Sequence, residues 1–213
     1  MIRYPRRYWI VAACLAAIAG FIDAAAFVHL GGFFVSFMSG NSTRLAVGVI
    51  EAPAHAVAAG SLIAMFVLGV MLGSVTNRRF SETASVRVVA LVAAILALAA
   101  LLAGMGYEAV AVGLLAVAMG AENAVFKRDG EVGIGLTYMT GTLVRFGQRL
   151  AEALTGGASW GWLPYLLLWL GLVAGAVAGA WAYAQLQLGA IWIAAAAMAL
   201  LAAILPRLAR RVD

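Results

Sequence analysis

The side chains able to do chemistry in this sequence gather in two short polar phrases. SFMSGNSTRL occupies residues 36–45, and TYMTGTLVRF occupies residues 137–146. Each sets small hydroxyl residues around a glycine and adds an arginine four residues after it. The first supplies Ser39, Gly40, Asn41 and Arg44; the second supplies Thr140, Gly141, Thr142 and Arg145. Hydroxyls, backbone amides freed at a glycine and a planar guanidinium together suit a small polar or anionic solute such as a carboxylate, phosphate or halide. These residues form the candidate substrate-binding set. Asp23, Glu122 and Asn123 are candidates for coupling or ion pairing, because Asp23 and Glu122 are the acids placed well inside long apolar segments. Two plainer roles compete. The glycines could simply let helices approach, and Arg44 and Arg145 could pin their segments to Asp23 or Glu122 as internal ion pairs.

Other chemistries find little support. The sequence holds no HExxH or GxSxG pattern, and its two histidines, His29 and His55, have no metal-ligand spacing to a second ligand. One cysteine, Cys14, excludes an internal disulfide and a cysteine-based zinc site, and reads as a small packing residue. The stretch TGGASWGW at residues 155–162 lacks the GK[ST] ending of a phosphate loop. Neither a cofactor nor a metal is expected, and the chain does not read as an enzyme.

Composition dictates the elements that must carry the polar phrases. The chain of 213 residues is 65% hydrophobic and 11% charged, where soluble domains run near half and a quarter. Such a chain belongs in lipid. Its net charge of +5 does not imply nucleic acid, since the basic residues punctuate apolar segments rather than forming one surface. Six segments approach the ~20 residues needed to cross a bilayer: Tyr8–Leu30, His55–Thr76, Arg87–Gly104, Tyr107–Phe126, Trp162–Tyr183 and Leu188–Leu205. Trp9, Trp160, Trp162 and Tyr183 fall near their ends as interface anchors. Phe33–Ile50 and Ile134–Leu154 are long enough to cross, yet carry the polar phrases. If both dip in and return, Arg3, Arg6, Arg7, Arg78, Arg79, Arg87, Lys127, Arg128, Arg207, Arg210 and Arg211 share one side. That side is the cytoplasm by the positive-inside rule. Six spans with two re-entrant or broken half-helices, and both termini cytoplasmic, is therefore the expected topology of this all-α integral membrane protein.

The polar phrases also reveal an internal duplication. GFIDA at residues 20–24 aligns with GAENA at 120–124, SFMSG with TYMTG, Arg44 with Arg145, and GVMLG at 69–73 with GLVAG at 171–175. The offset stays between 100 and 102 residues. Residues 1–105 thus form a first three-helix repeat with polar segment 33–50. Residues 106–213 form a second with polar segment 134–154, and together they make one membrane domain. Three spans per repeat invert the second copy, as in many transporters.

The motifs GFIDAAAFVHLGGFFVSFMSGNSTRL and TYMTGTLVRFGQRL resemble the YoaK family of bacterial inner-membrane proteins, a family with no assigned function. The resemblance implies a six-helix protein of the inner membrane and no particular substrate. From the residues themselves we expect a transporter or channel for a small anion or polar metabolite, with membrane lipid as its surroundings. A homo-oligomer is compatible with the glycine stripes. A non-transporting assembly helper is the alternative, and an intramembrane enzyme a more distant one.

Overall fold

The computed structural model describes residues 6–80, 83–128, 131–132 and 135–209. Runs of Leu, Ala, Val and Ile fold as helices because a helix satisfies every backbone group within its own segment. The helices are α1 (Arg6–His29), α2 (Met38–Glu51), α3 (Pro53–Arg79), α4 (Ala84–Gly104), α5 (Glu108–Glu122), α6 (Met139–Leu154), α7 (Leu163–Leu186) and α8 (Ile191–Ala209). A short antiparallel bridge pairs Lys127–Arg128 with Glu131–Val132, and a 3-10 turn, Gln187–Ala190, joins α7 to α8.

Among the described residues, four stretches are long and apolar enough to cross a membrane: Tyr8–His29, Pro53–Arg79, Ala84–Gly104 and Leu163–Arg207. The last has 45 residues and takes in α7 and all but the final two residues of α8. At 15 residues, α5 is only about 22 Å long. With the turn that follows it, α5 is buried almost continuously from Ala111 to Phe126, shielded by α3 and α4.

Contacts between helix ends fix the direction of each. His29, closing α1, lies 3.8 Å from Glu108, which opens α5, and 3.1 Å from the Tyr183 hydroxyl near the end of α7. The Phe33 ring sits edge-on to His55 at the start of α3. At the opposite end, Tyr8 meets Phe126 just beyond α5. There Asn77 of α3 donates to the Ala124 carbonyl, and Ser85 of α4 donates to that of Val125. So α1 and α7 run one way, and α3 and α5 the other. Neither α2 nor α6 carries the chain from one end of the bundle to the other. The second end also holds Arg78, Arg79, Lys127, Arg128 and Arg207; we call it the basic end and the first the His29 end. Arg3, Arg210 and Arg211 fall outside the described residues.

Glycines set the closest packing. A Cβ on Gly171 or Gly175 would overlap the Ala13 or Ala17 carbonyl oxygen, and one on Gly179 that of Phe21, so α1 and α7 touch backbone to backbone. Gly69 and Gly73 do the same against Val117 and Ala121 of α5. Ala17 and Phe21 lie 100 residues before Val117 and Ala121. The contacts therefore match Gly69 to Gly175 and Gly73 to Gly179, an offset of 106 residues. This is one helical turn beyond the sequence alignment of GVMLG with GLVAG. Cys14, expected as a packing residue, is exposed on α1.

Candidate functional site

The loop between α1 and α2 must satisfy its amides without helix geometry, and two polar side chains, Asp23 and Asn41, do so. α1 stops at His29 because Gly31 and Gly32 take φ of +65° and +112°, and the Gly32 N–H closes on the Phe27 carbonyl at 2.8 Å. The chain then turns inward along α1. Asp23 Oδ1 accepts the N–H groups of Val35 and Ser36, both at 2.8 Å. Asn41, fully buried in the first turn of α2, accepts from the Phe34 N–H at 3.0 Å and donates Nδ2 to the Phe34 carbonyl at 2.6 Å. On the other copy Asn123 replaces Asp23. Its Oδ1 accepts the Thr137 hydroxyl at 3.2 Å, while its Nδ2 donates to the Met119 carbonyl at 3.0 Å.

These anchors start α2 and α6 inside the bundle. Phe37 and Tyr138 stand at the N-cap positions, with no side-chain cap bond at either. Gly40 and Gly141 thus fall within the first helical turn rather than at a turn before it. The two N-termini face one cavity of about 290 Å³. Ser36, Ser39, Thr137, Thr140 and Gly141 line it with hydroxyl and backbone groups, and Phe37, Tyr138, Phe66, Met38 and Met139 with apolar surface. Its outer rim is open: Tyr138 is 56% exposed, and Ser39 and Thr140 are exposed too.

The residues singled out from sequence divide at this point. Ser39, Thr140 and Gly141 reach the cavity. Asn41 is spent on the loop, Thr142 is buried, and a Cβ on Gly40 would stand 2.6 Å from the Phe37 ring. The arginines lie elsewhere. Arg44 is half-buried, its guanidinium 5.1 Å from the centre of the Phe33 ring and beside Gly32, at the His29 end. Arg145 is exposed and lines a separate cavity of about 800 Å³ with Gln148, Arg149, Glu152 and Tyr165. Among the described residues neither arginine pairs with Asp23 or Glu122. Asp23 is held by backbone N–H groups, and both carboxyl oxygens of the fully buried Glu122 lack a hydrogen-bond partner.

Sequence reasoning passed over Phe37 and Tyr138, although the aromatic before each methionine is shared by both phrases. It also set His29 aside. His29 joins Tyr183 and Glu108 at the mouth of a largely apolar cavity of about 460 Å³ that Ser61, Phe33, Leu62 and Met65 help to line. Phe66 carries no signal in the sequence.

Long apolar helices packed over a few buried polar groups define a multi-pass α-helical membrane protein. Within that class, residues 11–204 match the family described as protein of unknown function DUF1275, and the chain belongs to it. The YoaK proteins whose motifs it resembles are members of the same family. The UPF0700 transmembrane protein RA0705 of Rhizobium meliloti (strain 1021) is 36% identical over 200 residues, covering 93% of this chain and 86% of that relative. No solved structure matches the chain.

Proposed function

We propose that this protein moves a small polar solute across the bacterial inner membrane through the cavity between α2 and α6. One observation carries the reading: two half-helices, each returning to the end it came from, begin at the same cavity. Non-helical backbone deep in a membrane protein is tolerated where it is buried in protein or lines an aqueous path. Opposed half-helices around such a path are the architecture of transporters built from inverted repeats. The parallel pairs α1–α7 and α3–α5, exchanged between the halves, support reading residues 1–105 and 106–213 as inverted copies with six crossings. Lys and Arg gathered at one end support cytoplasmic termini.

The cavity lining narrows the solute. Its side chains are neutral, so recognition would rest on hydroxyls and the partial positive charge of two helix N-termini. That combination favours a small neutral solute with acceptor oxygens, or a small anion, over a cation. With Arg44 and Arg145 at opposite ends, the arginines would attract anions to the entrances rather than grip them at the centre. A catalytic reading gains nothing here, since the histidines sit at the His29 end and not beside Ser39 or Thr140. The open rim along Tyr138 is the side on which a second copy would close the path laterally.

Purified protein in liposomes tests this by light scattering after glycerol, urea or formate is added outside. At least one should equilibrate faster than in protein-free liposomes. Rates equal to protein-free liposomes for every small neutral and anionic probe would overturn the reading.

A further inference from the structure

Among the described residues, Glu122 is the one carboxyl group of the bundle interior that the anchoring of the half-helices leaves unused. It is fully buried, and neither oxygen has a hydrogen-bond partner among the described residues. The equivalent position of the first repeat, Ile22, is fully buried and apolar, so the site asks for an apolar side chain and receives an acid. Among the described side chains, the charged groups on the surrounding elements do not compensate it. On α1, Asp23 is occupied by Val35 and Ser36, and His29 by Tyr183 and Glu108 at the far end. On α3, Arg78 and Arg79 are exposed; on α4, Arg87 is exposed and lies over the Phe80 ring. An isolated carboxylate in such surroundings costs far more than an un-ionised acid, which leaves only one donor and its acceptors unpaired.

We propose that Glu122 is a proton-binding group that exchanges its proton with water at the basic end, coupling solute movement to protons; this rests on the transport reading. In the conformation described it holds the proton as a carboxylic acid. The next residue, Asn123, is the anchor of Thr137 and so of the loop that begins α6. Beyond it, Val125 and Phe126 are buried, and Phe126 meets Tyr8 edge-on with ring centres 6.4 Å apart, sealing that end. Opening of this seal would let water reach Glu122 and accept its proton. The carboxylate left behind could not return to the dry site until it was reprotonated. Protonation at Glu122 and the position of α6 thereby share one switch point, at the end of α5.

Dicyclohexylcarbodiimide reads this directly. An un-ionised carboxyl adds across one C=N bond of the reagent, its proton passing to nitrogen. Migration of the acyl group from oxygen to nitrogen then gives a stable N-acylurea with nothing lost, so peptide mass rises by the whole reagent. We expect labelling of the Glu122 peptide near neutral pH, a fall at alkaline pH, and none in Glu122→Gln. Glu122→Ile, which restores the residue of the other repeat, serves as a second folded control. In the same liposomes, formate flux should respond to a pH gradient across wild-type protein and lose that response in both variants. Labelling that is absent, or that ignores pH, overturns the proposal whatever the flux shows. A pH response retained in both variants overturns the coupling. Labelling as expected with no formate, glycerol or urea flux from any protein would sink the transport reading instead, leaving proton exchange at Glu122 standing.

Discussion

Asp23 and Asn123 occupy matching places on α1 and α5 and do matching work with different groups. Asp23 collects two backbone N–H groups on one oxygen. Asn123 needs only one acceptor oxygen for Thr137 and uses its amide to return a bond to Met119. What both positions require is an acceptor, and a charge is optional. Asp23→Asn should therefore melt within error of wild type in detergent, because Oδ1 survives. Asp23→Ala strands two amides and should cost about 1–3 kcal/mol of stability, read as a lower melting temperature. Equal melting of the Ala and Asn variants would show that the loop does not depend on this anchor. The carboxylate was legible as a buried acid of an apolar segment. Its partner was not, since a sequence displays side-chain charges but not the amides a loop leaves unpaired, and Arg44 was the visible candidate.

Among the elements, glycine spacing gave the interfaces but not their register. A stripe with a glycine every fourth residue matches another stripe equally well one turn along, so Gly69/Gly73 could be aligned with either Gly171/Gly175 or Gly175/Gly179. Only the carbonyls they press on, Val117 and Ala121 against Ala17 and Phe21, choose the second. The starts of the half-helices are set by the loops that precede them. Ser and Thr are favoured N-caps, yet Phe37 and Tyr138 take that position, because Asp23, Asn41 and Asn123 hold the preceding loops from the side. The packing predicts a contrast. Gly175→Val drives side-chain carbons into the Ala17 carbonyl and should cost about 1–3 kcal/mol. Gly147→Ala meets nothing within 4 Å and should stabilise α6 by about 0.5–1 kcal/mol. Thermal melting of the two variants checks both signs.

For the whole molecule, the long apolar helices and the return of both polar segments to their own end were readable from apolar length and basic punctuation. The depth of the arginines was not. Arg44 lies six residues into a helix that runs back toward the His29 end, so about 9 Å of rise carries it from the cavity to the level of Gly32. A linear sequence shows a segment's length but not where its helix begins or which way it points. The same directions place residues 78–79 and 127–128 at one end and residues 51–54 at the other. In a Cys14→Ala background, an impermeant thiol reagent added to intact cells should label a cysteine at position 51 and spare one at position 79. The reverse pattern would contradict the arrangement in the membrane.

The meeting of the two half-helices at one path is tested most directly by blocking it from either side of the repeat. Ser39→Cys and Thr140→Cys, each in the Cys14→Ala background, place a thiol on the cavity wall from α2 and from α6 respectively. Gly147→Cys puts one on the exposed face of α6, away from the cavity. A bulky methanethiosulfonate should abolish flux of the transported probe through the first two variants and leave the third unaffected, with modification confirmed by mass. Complete modification at position 39 or position 140 with unchanged flux would contradict the account.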